Sequence, residues 1–279
     1  MIQHLAIPVE LTRKNCPMLS HNPFADLHLP AAIMQAYVVL MFLLVVGGTL
    51  LDVIHKKSAK YFFQAGQKAQ KSQTRSVGGG EKASIAVKTA VHDVMLSGEF
   101  CNARRRIAHL LGMYGFVIFL VTTVILIFSY PTSATAAPAL VTGLWHIGAL
   151  MVCVGGYWFW FFIRVDVAAE GNAWYRIVQA DLFILALLGT TTFALIWSYL
   201  QIQGGGAWTT VALLLFDISS TTLFGTVLWS KFAHMFFKPA AAYQKRVQEA
   251  DGSRANLPEP ADKPAQFGLG IKREPARHY

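Results

Sequence analysis

The sequence is short of charge. Asp, Glu, Lys and Arg make up only 14% of its 279 residues, against about 25% in an ordinary soluble domain. Hydrophobic residues make up 54%, and the mean hydropathy is +0.42. That balance excludes a water-soluble globular domain and points to an integral membrane protein. Acidic residues are the scarcer sign, 15 against 24 Lys and Arg, leaving a net charge of +9.

Cysteine is equally scarce. Cys16, Cys101 and Cys153 lie far apart and form no CxxC or CxxCH pattern, which argues against an iron–sulfur cluster or a covalently attached haem held by this chain alone, and against a disulfide framework. Cys153 reads as a small buried residue, and Cys101, beside arginines, as a secondary candidate for a reactive thiol. No GK[ST] follows Gly78-Gly79-Gly80, so the triplet reads as a flexible joint, not a phosphate loop. Residues 1–30 have no apolar core behind a basic start, so no cleavable signal is expected.

What is present is a set of five apolar blocks nearly free of charge, at residues 31–54, 107–130, 139–163, 176–200 and 207–229. Each is long enough to cross the roughly 30 Å hydrocarbon core as a helix. They lack a barrel's strict alternation, and in lipid the backbone must satisfy its own hydrogen bonds. The expected fold is an all-α bundle of five transmembrane helices, with an external arm at 1–30, a basic loop at 55–106 and a tail at 230–279.

The loop carries eleven Lys and Arg and the tail nine, whereas the connections at 131–138 and 201–206 carry none. By the positive-inside rule the N-terminus is outside and the C-terminus cytoplasmic, as in a multi-pass protein of the cytoplasmic (inner) membrane. Trp145, Trp158, Trp174, Trp197, Trp208 and Trp229 fall near the expected interfaces. The positive charge reflects this topology, with a docking surface for a partner or anionic lipid, and is not read as nucleic-acid binding.

Along the chain, residues 1–30 are punctuated by four prolines, and His4, His21 and His28 read as solvated. His28, close to the outer surface, stays a candidate ligand or quinone contact. Gly47-Gly48 in the first span suggests close helix packing. The segment from Ser84 to Phe100 is loosely amphipathic, suited to a helix along the membrane or against a partner. Gly112 and Gly115 leave a groove on the second span for a flat macrocycle or another helix. His146, two turns into the third span, has three open readings: an axial haem ligand, a proton-handling group at a quinone pocket, or an interhelical hydrogen bond. Asp217, near the middle of the fifth span, reads as a proton-path or quinone contact, or as an internal hydrogen bond. Beyond Pro239 the tail reads as extended or disordered.

Two histidines stand apart. His109 follows the Arg104-Arg105-Arg106 triplet just inside the second span, and His234 closes Ser230-Lys231-Phe232-Ala233-His234 after the fifth. The two spans run in opposite directions, so the histidines lie at similar depth on facing elements. Two imidazoles so placed could ligate one haem iron from both faces.

The arginine-rich approach to His109, the following Tyr114-Gly115-Phe116, the closing Ser230 to His234 segment and the five-span pattern resemble the membrane cytochrome b subunits of the respiratory nitrate reductase gamma type. Gly98-Glu99-Phe100-Cys101 and the basic loop before the second span are most similar to the membrane proteins associated with adenylylsulfate reductase within that group. The resemblance implies a membrane anchor that passes electrons between a soluble cytoplasmic flavin and iron–sulfur enzyme and the membrane quinone pool. It implies a b-type haem on His109 and His234, and partner docking on Arg104, Arg105, Arg106 and Lys231. Sulfur chemistry would belong to the partner, and no stand-alone substrate chemistry is expected of this chain. Where the nitrate-reductase type has its outer histidines, this chain has Phe119 and Phe216. A second haem would therefore need another ligand, such as His146 with His28. The alternative is a haem-free anchor or assembly protein.

Overall fold

The computed structural model describes residues 17–27, 29–55, 58–98, 100, 102–168, 170–227 and 234–253. Among these every regular element is helical. Five helices are long and apolar enough to cross a membrane: α1 (Ala31–His55), α4 (Ala103–Ser129), α5 (Ala139–Trp158, continued as a π-helix to Ile163), α6 (Leu182–Ile202, entered through a 3₁₀ turn at Gln179–Asp181) and α7 (Ala207–Gly225). Three further helices are α2 (Ser58–Lys71), α3 (Gly79–Lys88, continued as a π-helix over Thr89–Met95) and α8 (His234–Asp251), and two single turns of helix lie at Pro17–Ser20 and Val165–Ala168. The protein is a five-helix, all-α, multi-pass membrane protein. It divides into two compact units, Met1–Gly48 with Ile107–Lys231, and Thr49–Arg106 with Phe232–Tyr279.

In the first unit the spans are drawn together by small residues. A Cβ on Gly148 of α5 would lie 2.7 Å from the Phe119 nitrogen and 2.9 Å from the Gly115 oxygen of α4. Seven residues on, a Cβ on Gly155 would lie 2.7 Å from the Ala108 oxygen. Seven residues are nearly two helical turns, so these glycines share one face and let two backbones touch. The groove anticipated at Gly115 is filled by α5. Gly48 packs on Val227, with 3.0 Å from its would-be Cβ to the Val227 Cβ, while Gly47 faces open space.

The opposite end of this unit is closed by residues 17–27, which the sequence suggested were a solvated arm. Thr142 Oγ1 donates to the Leu19 carbonyl (2.9 Å), Asn22 Nδ2 to the Tyr130 carbonyl (2.9 Å) and Gln201 Nε2 to the Pro23 carbonyl (3.0 Å). His21 is therefore not solvated: its Nε2 meets Gln201 Oε1 at 3.0 Å. Phe24 is 3% exposed and lies edge-on to Trp145 and Trp197, with centroids 5.8 and 5.3 Å away. Burying one such ring contributes about 1.5–3 kcal/mol. Trp145 and Trp197, expected at the interface, are instead core residues at 0% and 1% exposure, whereas Trp174 and Trp208 are exposed as an interfacial residue should be.

Several boundaries differ from the sequence expectation. Helix α4 begins before the arginine triplet because Asn102 Oδ1 caps it, accepting from the Arg104 and Arg105 backbone N–H groups at 2.9 and 3.4 Å. Helix α6 begins late because Asp181 Oδ2 accepts from the Val178 N–H, 3.0 Å, and closes a turn just ahead of it. Helix α7 ends at Gly225 in a turn through Thr226 and Val227.

In the second unit the loop and tail are ordered around one another. The tail is helical through Pro239 to Asp251, because strong helix formers follow the proline and their inner face is packed. Arg246 grips Asp93 through two nitrogens, at 2.5 and 2.6 Å. That guanidinium, with help from His92, holds the Asp93 carboxyl down from 3.8 to about 2 despite its partial burial. Asp93 is therefore ionised at any physiological pH. The Asp251 carbonyl at the end of α8 accepts from the Thr74 and Arg75 N–H groups, 2.9 and 3.2 Å, capping the helix. The glycine triplet is not a loose joint, since Gly79 and Gly80 open α3 and Arg75 reaches Glu81 across it.

Candidate functional site

Intramembrane polar side chains decide what the bundle can do, because each is costly unless matched. His146 on α5 is fully buried. Its Nδ1 lies 2.8 Å from the Thr142 carbonyl oxygen, one turn back, and its Nε2 lies 2.8 Å from Ser198 Oγ on α6. A carbonyl only accepts, so Nδ1 carries the proton and Nε2 accepts from the Ser198 hydroxyl. Trp145 stands edge-on to the imidazole at 4.8 Å. Of the three readings, this geometry makes the interhelical hydrogen bond; an iron at Nε2 would have to displace Ser198 and open a sealed core. We predict that Ser198→Ala lowers stability by about 1 kcal/mol and exposes no new metal-binding behaviour, measured by thermal unfolding in detergent with and without haemin.

Phe119 and Phe216 are both 4% exposed. Phe119 lies 5.2 Å from Trp145, and Phe216 stacks on Trp197 at 5.8 Å. With Phe24 they fill the middle of the bundle with rings.

Asp217 lies elsewhere, in the pair formed by α1 and α7. Tyr37 Oη sits 3.0 Å from the Asp217 carbonyl oxygen, 2.7 Å from Ser220 Oγ and 3.0 Å from Thr221 Oγ1. The Asp217 side chain has one buried carboxyl oxygen, Oδ1, with no hydrogen-bond partner among the described residues. Tyr37 was not anticipated, although its spacing into the first span was open to inspection. Since His146 bonds to α6 and Asp217 neighbours α1, the structure assigns these two candidates to different helix pairs. His28 lies outside the described residues, next in the chain to an apolar crevice lined by Leu27, Leu29, Pro30, Met34 and Ile127.

At the arginine-rich end, His109 is half-buried on α4. Because α4 starts at Ala103, Arg105 and Arg106 stand four and three residues before His109 on one continuous helix, a single turn away. His234 opens α8, and its side chain, like Lys231, lies outside the described residues. The sequence reasoning missed Arg164. Its Nη1 donates to Asp181 Oδ2 at 2.6 Å, its Nη2 to the Trp174 and Arg176 carbonyls at 3.2 and 2.8 Å, and its guanidinium lies 4.0 Å over the Trp160 ring. Both side chains are buried, at 4% and 9% exposure. Among the described residues no group of three or more His, Cys, Asp or Glu could hold a metal ion. In comparison with known protein families, curated proteins and solved structures, no family model, protein or structure matches the chain.

Proposed function

We propose that the protein is the membrane anchor and electron-transfer subunit of a quinone-linked oxidoreductase complex, with its basic side facing the cytoplasm. The partner would be a soluble flavin and iron–sulfur enzyme of the adenylylsulfate reductase type. The observation that carries this reading is the continuity of α4, which sets Arg105 and Arg106 one turn, about 5.4 Å of rise, from His109. A partner held electrostatically by these arginines would then sit next to a b-type haem held by His109 and His234. A haem there supplies a one-electron relay; the chain's own part is to hold it, dock the partner and position quinone.

Two further observations shape the proposal. The aromatic cluster of Phe119, Trp145, Trp197 and Phe216, with His146 committed to Ser198, favours a single haem at the arginine-rich end. The unpartnered Oδ1 of Asp217, beside Tyr37, favours Asp217 as the group that accepts a hydroxyl proton from a quinol. A haem-free anchor remains the second reading, favoured by the fact that His146 and Asp181 find their partners within the bundle.

The test is a dithionite-reduced minus oxidised spectrum of the purified protein, with haem counted per chain. We expect one b-type haem, abolished by His109→Ala and by His234→Ala and retained in His146→Ala. No signal from protein purified with its partner, out of cells that load other cytochromes, would overturn the haem and leave the anchor.

A further inference from the structure

Helix α3 carries an apolar strip that its own unit leaves exposed. Val87, Val91 and Leu96 are 64%, 46% and 46% exposed, and Met95, beside Leu96, is 51% exposed. The opposite face turns inward: Thr89 is 3% exposed and donates to the Ile85 carbonyl at 2.8 Å. A four-residue step drifts about 40° around an α-helix, so such a strip would wind away. Here the change to π-helix at Thr89 widens the turn and returns Met95 towards the line of Val87 and Val91.

Three observations say what covers the strip. Arg106 Nε donates to the Leu96 carbonyl at 2.8 Å, and Arg106 stands in the first turn of α4. The end of the strip is thus tied to the first turn of the helix that continues as the second span. Second, the charge on its flank is cationic. Lys88 is exposed there, while the acidic residues Glu81 and Asp93 are engaged by Arg75 and Arg246. Third, α2 repeats the pattern: it starts at Ser58, three residues after α1 ends, and shows Phe63 at 64% exposure with Lys60 exposed one turn before it.

We propose that α3 is an in-plane membrane element. Its strip of Val87, Val91 and Leu96 enters the boundary between headgroups and acyl chains of an anionic leaflet, and Lys88 binds the lipid phosphates. The partner is the phospholipid surface itself. This assignment is independent of any haem.

The test uses the full chain in nanodiscs of phosphatidylcholine, with and without phosphatidylglycerol. A spin label at Val91→Cys, in a background of Cys16→Ser, Cys101→Ser and Cys153→Ser, reports collisions with oxygen, which concentrates in lipid, and with a water-soluble nickel chelate. We expect oxygen to dominate in the anionic discs, Lys88→Gln to shift the balance towards water by roughly fivefold, and Lys82→Gln, on the opposite face, to leave it unchanged. Nickel access in both discs would overturn the proposal. A label shielded from both reagents would overturn it in favour of a protein cover, and spin–spin broadening would identify that cover as a second copy. Oxygen access that ignores both phosphatidylglycerol and Lys88→Gln would overturn the anionic seat. If the cysteine-free background fails to fold, acetylation of Lys88 against that of Lys82 in the unaltered chain decides: labelling of Lys88 slowed selectively in anionic discs supports the seat, and equal slowing of both overturns it.

Discussion

Gly148→Val is expected to cost the bundle about 3 kcal/mol or more, at the upper end of what overpacking does. The first atom of the new side chain would meet the Phe119 nitrogen and the Gly115 oxygen at 2.7 and 2.9 Å. Both belong to the α4 backbone, so no rotamer change relieves the clash and the two helices must part. Parting them also loosens the 2.9 Å bond from Trp145 Nε1 to Thr123 Oγ1, which joins the same pair. The measurement is the fraction of detergent-solubilised protein that stays monodisperse through a temperature series. Gly47→Ala and Gly112→Ala, where nothing lies within 4 Å of the added carbon, should leave the curve in place or raise it slightly, since alanine favours helix by up to about 1 kcal/mol over glycine. Equal loss in all three variants would refute close packing as the cause.

Arg164→Ala should be comparably severe, about 3–5 kcal/mol, because it leaves the Asp181 carboxylate buried without its counter-charge. The same substitution strips hydrogen bonds from the Trp174 and Arg176 carbonyls and the cation from above Trp160. Arg164→Lys should rescue little, since one ammonium cannot reproduce a guanidinium that bonds in three directions while lying on an indole. Arg164→Met combined with Asp181→Asn should recover much of the loss, because no buried charge is then unmatched. A double variant as unstable as Arg164→Ala would mean that the carbonyl contacts, not the ion pair, hold this corner.

The spans were legible because twenty apolar residues without charge have few other places to go. Their ends were less so. Asn102 and Asp181 moved two helix starts through single side-chain bonds that hydropathy averages away. The N-terminal segment was misread for a related reason: prolines and scattered polar residues look like a solvated arm, and only the fold brings Phe24 to Trp145 and Trp197. Arg164 and Asp181 stand 17 positions apart, and their partnership depends on a connection whose shape no periodicity encodes. His146 stood out by its depth in the third span, yet the bond it makes waited on Ser198, 52 positions away. The His109 and His234 pairing divides between the two units, so its reading still rests on the sequence.

The closure of the bundle by residues 17–27 carries a consequence for the order of events during synthesis. This peptide leaves the ribosome ahead of all five spans, yet its anchoring partners arrive late, Tyr130 and Thr142 midway and Gln201 nearly two hundred residues after His21. Until α6 is complete the segment has only part of its seat, and Phe24 lacks Trp197. Maturation of the bundle is therefore gated by a segment held in reserve while the spans are made, and a nascent chain arrested before Gln201 would display an open aromatic core to whatever chaperone or insertase is at hand.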